Sequence, residues 1–334
     1  MTSNTPVTAT TSVNAVRVGA TTTALLVFAT ILAGTLSPMQ STVNGALGTA
    51  VNDGNLAAVI SFAVGLIVMI IIIFARPTTR RQALAIPGLI RSRELGWWNY
   101  LAGLCGAMVV LSEGVSVGGL GVAVFQIALI SGLIVSGVIC DRLGVSGSIK
   151  QPLTTWRLLG AALAIVATVL TIVPSFHAPG VIALAVLPFA AGLLAGWQPA
   201  GNSAVAKQTG SMLVAIGFNF LVGFTALFIA LMIRVIVGHA TITLPPTWWM
   251  YLGGPLGLLS IALMALLVRG IGLLLLGLAS VSGQLIGSLG LDVLVPSVGH
   301  PLHIVTIIGT VVALVAAGIA MIPAKTMTRL QEHR

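Results

Sequence analysis

The stretch Gln40-Ser41-Thr42-Val43-Asn44-Gly45-Ala46 returns as Gln198-Pro199-Ala200-Gly201-Asn202-Ser203-Ala204, with the same Gln-x-x-x-Asn spacing. At the same offset Ser61, Phe62, Val64 and Gly65 fall on Asn219, Phe220, Val222 and Gly223. Further along, Trp97-Trp98-Asn99-Tyr100-Leu101-Ala102-Gly103 is matched by Trp248-Trp249-Met250-Tyr251-Leu252-Gly253-Gly254. Ser131-Gly132 is matched by Ser282-Gly283, Asp141 by Asp292, and Pro152 and Gly160 by Pro301 and Gly309. Each match alone is weak, but their common order reads as one unit written twice.

The surrounding composition fixes the solvent. The chain has 334 residues, 57% of them hydrophobic and 6% charged, with a mean hydropathy of +1.12. A soluble domain carries about 25% charged residues, so this chain has too few to clothe a water-facing exterior, and lipid is the solvent that suits it. Apolar runs long enough for a hydrocarbon layer of about 30 Å lie near 22–47, 55–75, 97–115, 120–140 and 154–174. Five more lie near 180–204, 212–236, 248–268, 271–291 and 301–322. The expected fold is all-α integral membrane: ten transmembrane helices as two inverted five-helix repeats. The first repeat spans 22–175 and the second 176–324, with cytoplasmic tails over 1–21 and 325–334. Five is odd, so the second copy enters the membrane upside down. One sequence in two orientations yields two similar conformations open to opposite sides, which is how secondary transporters use inverted repeats.

Charge sets the orientation. The net charge of +9 and pI of about 11.1 would suggest nucleic acid in a soluble protein. Here the 15 Lys and Arg sit between or beside apolar runs. With both termini in the cytoplasm, all of them except Arg234 fall inside, a positive-inside bias that also favours an even helix count. The longest polar interruption, 76–96, holds Arg76, Arg80, Arg81, Arg91 and Arg93 with Pro77 and Pro87. It reads as a basic loop in preference to an interfacial helix. Residues 1–16 are polar and uncharged, which suggests disorder. The run after Arg17 is kept as a first span, not a cleaved signal, because cleavage would remove the repeat. Cys105 and Cys140 lie in apolar runs outside any CxxC or Cys/His cluster, so they read as small buried hydrophobes.

These residues resemble the drug/metabolite transporter superfamily. The Gln-x-x-x-Asn-Gly/Ser-Ala ends of helices 1 and 6, the Trp-Trp-x-Tyr-Leu-x-Gly starts of helices 3 and 8 and Asp141-Arg142-Leu143-Gly144 after helix 4 are similar to its YdcZ-type branch of bacterial inner-membrane exporters. The resemblance covers about 24–322. It implies a fused five-plus-five form and an exporter of loosely defined substrate. Small multidrug members of the superfamily carry a glutamate in their first helix; here neither helix 1 nor helix 6 has an acid.

Candidate functional residues are the polar ones at membrane depth. Gln40 and Asn44 share one helix face, as do Gln198 and Asn202. An unpartnered amide facing lipid costs several kcal/mol, so these faces turn inward, either to line a substrate cavity or to clamp helices. Pro38 and Pro199 stand ready to break those helices. Ser61, Asn219, Gln126 and Gln284 are further lining candidates, and Trp197 is placed to stack on a substrate. The Trp97-Trp98 and Trp248-Trp249 pairs read as interface anchors. Glu113 is the proton-coupling candidate if water reaches it, although its place at the end of helix 3 fits a solvated loop acid better. Asp292 reads as a cap and Asp141 as a cap or a partner of Arg142. His300 and His303 are too few for a metal site. Gly114-x-Ser116-x-Gly118 is not a nucleophile elbow, since it joins two membrane helices. The spacings Gly132-x-x-x-Ser136 and Gly283-x-x-x-Gly287 suggest that helices 4 and 9 pack on each other.

The reading is a secondary transporter exporting a small metabolite or drug-like solute, as a monomer or homodimer, with proton coupling, sodium coupling and uniport all left open. No Walker motif is present, and no cofactor, metal, nucleic acid or enzymatic activity is expected. The alternative is a non-transporting receptor or assembly subunit.

Overall fold

The computed structural model describes residues 20–144, 154–172, 179–295 and 303–322, and every regular element among them is helical. Helices are what a chain in lipid must form, because each backbone N–H and C=O then finds its partner within the segment. The elements are α1 (Ala20–Gly34), α2 (Leu36–Val51), α3 (Gly54–Phe74), α4 (Pro77–Leu84), α5 (Ile86–Ser92) and α6 (Ala102–Leu120). They continue with α7 (Val122–Leu143), α8 (Thr155–Ile172), α9 (Pro179–Ala195), α10 (Gln198–Thr209), α11 (Met212–Ile236), α12 (Gly253–Leu294) and α13 (Ile304–Ala320). Short 3-10 turns at Trp97–Leu101 and Trp248–Tyr251 lead into α6 and α12. Eight segments are long and apolar enough to cross a membrane, and Gly253–Leu267 and Ile304–Ala320 are shorter apolar helices. The fold is that of a multi-span helical membrane protein.

Two of the expected spans are interrupted. α1 ends at Gly34 and α9 at Ala195, each four residues before a proline, Pro38 or Pro199. Proline has no N–H to give the carbonyl four residues back, so both helices break where the sequence demands. The polar stretches Gln40–Asn44 and Gln198–Asn202 then start fresh helices, α2 and α10, in the middle of the bundle. The segment 76–96 is a correction: it holds α4 and α5, not a plain loop. Pro77 and Pro87 sit in their first turns, where a missing N–H costs nothing and the fixed φ helps.

Spans 3 and 4 are separated by one residue. Gly121 has φ 81°, a conformation that side chains with a Cβ resist, and the chain reverses there. The carboxylate of Asp292 reaches across from α12 to accept from the N–H groups of Val122 (2.7 Å) and Ala123 (2.8 Å), capping α7. The counterpart of that reversal is hidden within α12. Along α12, Gly257 lies against Gln40, Gly270 against Leu26, Gly283 against Ile31 and Gly34, and Gly287 against Thr35 and Pro38. The contacts descend α2 and α1 and then climb again. A straight helix of 42 residues would be about 63 Å long and could not do this, so α12 doubles back near Gly270.

The same contacts recur between the aligned counterparts. Gly106 lies against Gln198, Gly119 against Leu184, Gly132 against Phe189 and Gly196 against Ser136. Gly103 meets Asn219 while Gly254 meets Ser61; Gly65 meets Phe220 while Gly223 meets Phe62; Gly160 meets Ala316 while Gly309 meets Ala167. Close packing through small residues is what holds helices together where lipid removes the hydrophobic drive. It also corrects one expectation. The glycine stripes of helices 4 and 9 do not face each other: Gly132 packs on α9 and Gly283 on α1. α7 and α12 meet instead through Ile127, Ile130 and Leu285. The outer faces carry exposed Phe28, Ile71, Ile233 and Val311, as lipid contact requires.

The two ends of the bundle differ in charge. At one, Gln82 Nε2 donates to the Gly210 carbonyl (3.4 Å) and Gln208 joins Tyr100 (3.2 Å) and Glu94 (3.3 Å), tying the arginine-rich segment to the end of α10. At the other, Arg234 pairs with Asp53 at 2.9 Å. Asp53 also accepts from the N–H groups of Asn55 (2.9 Å) and Leu56 (3.1 Å) as the N-cap of α3. Burial alone would raise the Asp53 carboxyl, but Arg234 and the two backbone donors outweigh it and hold it below its ordinary 3.8. A depressed carboxyl contributes stability above its unfolded-state value and loses it as pH falls through the folded one. Arg234 is 41% exposed, so solvent screens the pair and the cap counts for more. Asp53→Ala therefore costs about 1–2 kcal/mol and Asp53→Asn, which still caps, less than about 1 kcal/mol. In denaturant melts the gap between wild type and Asp53→Asn closes as the pH falls below 3.8; a constant gap contradicts the assignment.

Candidate functional site

Two polar clusters occupy matched positions in the bundle. In the first, Glu113 of α6 is 2% exposed. Its carboxylate accepts from Ser41 Oγ at 2.9 Å and from Asn44 Nδ2 at 2.6 Å, both on α2. Gln126 of α7 donates through Nε2 to Ser41 Oγ at 2.9 Å. That hydroxyl accepts from Gln126, and its one proton has two acceptors, Glu113 Oε1 at 2.9 Å and the Ser37 carbonyl at 3.1 Å. The expectation of a solvated loop acid is thus overturned. α6 runs on to Leu120, about two turns past Glu113, so the acid lies within the membrane-spanning helix.

In the second cluster Asn219 of α11 is the hub. Its Oδ1 accepts from Gln198 Nε2 at 3.2 Å and its Nδ2 donates to Asn202 Oδ1 at 2.8 Å. The three are the counterparts of Gln40, Asn44 and Ser61. Substituting serine for asparagine at the hub has a visible consequence. Asn44 Oδ1 and Ser61 Oγ are buried without a hydrogen-bond partner, whereas Asn202 Oδ1 has one. Glu113 has no acidic counterpart, since α12 carries no acid between Gly253 and Leu291.

The clusters also differ in exposure. Gln40 and Gln198 are alike half-buried and Ser61 and Asn219 alike buried, so the difference lies at Asn44, which is buried with Glu113 and Gln126, against Asn202, which is half-buried. Helix packing explains this. α2 lies close on α6: Gly48 meets the Gly114 carbonyl and Gly45 meets Val117, while the start of α3 joins the same contact through the Gly54 carbonyl, 2.8 Å from a Cβ on Gly114. The counterpart pair, α10 and the first half of α12, has no such packing among the described residues. Close packing therefore joins α2 to α6, and none of that extent joins α10 to α12 among the described residues.

Other candidates lie outside these clusters. Trp197, next to Gln198, lines a largely apolar cavity of about 790 Å³ with Trp98, Met108, Leu193 and Cys105. Gln284 donates to Ser280 of its own helix (3.2 Å) and lines a separate cavity of about 250 Å³ beside Arg157, so it does not join the amides. Trp97, Trp98 and Trp248 are exposed, as interface anchors are. His300 lies outside the described residues. Sequence reasoning missed Ser41, although it stands inside the recurring motif; its copy carries Pro199 there, so the repeat gave it no weight. Asp53–Arg234 was missed as well, although Arg234 was marked as the one misplaced cation.

A family model described as "Putative inner membrane exporter, YdcZ" matches the chain twice over, at residues 10–170 and 183–321. No curated protein matches it.

Proposed function

The chain belongs to the YdcZ family of inner membrane exporters, and on that footing we propose that it is a secondary transporter with ten membrane spans. The spans form two inverted five-helix repeats, 22–175 and 176–324, which carry a small organic solute outward by alternating access. The termini, 1–21 and 325–334, lie in the cytoplasm with the basic end of the bundle. The observation that carries this reading is the unequal state of two matched clusters. Aligned residues make the same contacts in both halves, yet α2 is sealed onto α6 while α10 stands clear of α12. Exchanging those two arrangements between the halves opens the other end at little cost, because each half already has the partner's contacts as its template.

Gln198, Asn202 and Asn219 form the solute subsite of this state, Gln40, Asn44 and Ser61 form its mirror, and Trp197 lines the apolar cavity next to the first. Neutral amides and an apolar wall with tryptophan suit an uncharged or singly charged amphiphilic solute. No described residue supplies the acid pair that a multivalent cation needs. The test is solute flux in sealed vesicles holding purified protein, with pooled metabolites and lipophilic ions as substrates. Protein-dependent flux lost in a folded Gln198→Ala/Asn202→Ala variant is the expected result. Flux that survives the variant removes the amides from the pathway. No flux from any pool points to a receptor or assembly subunit.

A further inference from the structure

The two halves join their corresponding spans in different ways. Between α11 and the turn that starts α12 runs only the segment 237–247, which holds no helix and no Lys or Arg. Between α3 and the matching turn before α6 stand α4 and α5. A short coil is therefore enough to close this connection, and the two extra helices serve another purpose. They are fixed in place. Thr79 Oγ1 lies 2.6 Å from the Ile73 carbonyl and 3.1 Å from the Arg76 carbonyl, its two acceptors, which folds α4 back on α3. Ile86 is 6% exposed and shares a core with Ile73 and Val214.

This folding back leaves a groove of about 300 Å³ between α3 and α11, under the elbow of α4 and α5. Buried Met69, Ile73 and Val214 form its floor, and exposed Phe74, Leu84 and Leu221 form its rim. Every residue that lines it is apolar. It follows α3 from Ile73 to Leu66, about 10 Å, which is most of the depth of one hydrocarbon leaflet, about 15 Å. A groove open sideways at that depth meets acyl chains and not water. A chain lying in it gains the dispersion contacts that an empty groove forfeits.

An apolar groove alone would take the chain of any lipid; the charge at its mouth selects the headgroup. The face of α4 that lines the groove through Leu84 carries Arg80 one turn earlier. The face of α5 that lines it through Pro87 carries Arg91 one turn later. Arg76, Arg81 and Arg93 stand on the same segment. All five arginines are exposed, and among the described residues none of their side chains has an ion-pair or hydrogen-bond partner. The one acid of the segment, Glu94, accepts from Gln208 instead. Guanidinium groups without counter-ions at a membrane surface pair with phosphate. We infer that the basic end of the bundle binds one anionic phospholipid. One acyl chain lies in the groove between α3 and α11, and arginines of the elbow, Arg80 and Arg91 foremost, hold the phosphate. The site goes beyond solute transport and needs no solute to be tested.

Native mass spectrometry of the full chain reads lipid binding directly, with phosphatidylglycerol or phosphatidylethanolamine of identical chains added to the detergent. The wild type is expected to hold one phosphatidylglycerol at least about tenfold more tightly than phosphatidylethanolamine, the worth of two arginines at an anionic group. Arg80→Gln/Arg91→Gln, at exposed positions, abolishes that preference. Arg142→Gln/Lys207→Gln removes the same charge from exposed positions outside α4 and α5 and keeps it. Ala83→Phe fills the groove and weakens both lipids. In thermal melts phosphatidylglycerol stabilises the wild type, whereas glycerol phosphate, a headgroup without chains, leaves the melt unmoved. Equal affinity of the wild type for the two lipids overturns the proposal, and this comparison decides it even where Ala83→Phe fails to fold. So does a preference kept by Arg80→Gln/Arg91→Gln, one lost equally in Arg142→Gln/Lys207→Gln, unchanged binding by folded Ala83→Phe, or a melt raised as far by glycerol phosphate as by the lipid.

Discussion

Leucine at Gly283 destabilises the protein by about 3 kcal/mol or more, or prevents it from folding, because overpacking against rigid backbone has no cheap relief. Even a Cβ at this position would strike the Ile31 carbonyl and lie 3.0 Å from Gly34 Cα, both on α1. Backbone cannot swing aside as a flexible side chain does, so α12 must lift off α1 and lose the whole seam. Gly132→Leu acts alike through the Phe189 carbonyl. The control is Gly290→Leu, two turns along the same helix, where nothing lies within 4 Å of the added Cβ. Thermal melts in detergent are expected to separate Gly283→Leu sharply from Gly290→Leu. Equal melts would mean that the halves do not meet along this seam.

Asn219→Leu lowers solute flux at least about tenfold while leaving the melt nearly unchanged. Leucine matches asparagine in size but removes the hub, so Gln198 and Asn202 each lose a partner. Both are only half-buried, so water in an open solute path restores their hydrogen bonds and limits the structural cost. Losing their alignment costs a bound solute about one hydrogen bond or more, and 1.4 kcal/mol is a factor of ten. Initial flux rates in vesicles, beside a melt of the same preparation, decide it. A large fall in the melt with flux per folded protein unchanged would make Asn219 a helix clamp and no more.

Much of this was legible in the sequence because the two halves still spell the same contacts. Gln40 and Gln198, Phe62 and Phe220, and Gly160 and Gly309 recur in order, and in the structure each sits against the counterpart of its partner's neighbour. Pro38 and Pro199 marked the breaks for a local reason that needs no tertiary knowledge. Glu113 was misjudged for an equally physical reason. The run Glu113-Gly114-Val115-Ser116-Val117-Gly118-Gly119 has the composition of a turn, but its small residues serve to admit α2 at close range. Composition cannot distinguish a glycine that bends the chain from one that makes room for a neighbour. The same ambiguity hid which helices the Gly132 and Gly283 stripes meet, since small residues show that a helix is approached and not by what. The segment 76–96 was read as loop from its arginines and prolines; prolines in a first turn start helices as readily as they end them.

The central claim is that the two ends of the bundle open in opposition. It is tested most directly by spin-label distances in a cysteine-free background, with one pair at Ala50 and Val115 across α2 and α6 and another at Lys207 and Leu266 across α10 and α12, all four exposed. Measured in liposomes at low and high pH, the first pair is expected to be close when the second is apart, and the populations to exchange as the pH changes. Two pairs that lengthen together, or that keep one fixed distance throughout, would contradict alternating access in this protein.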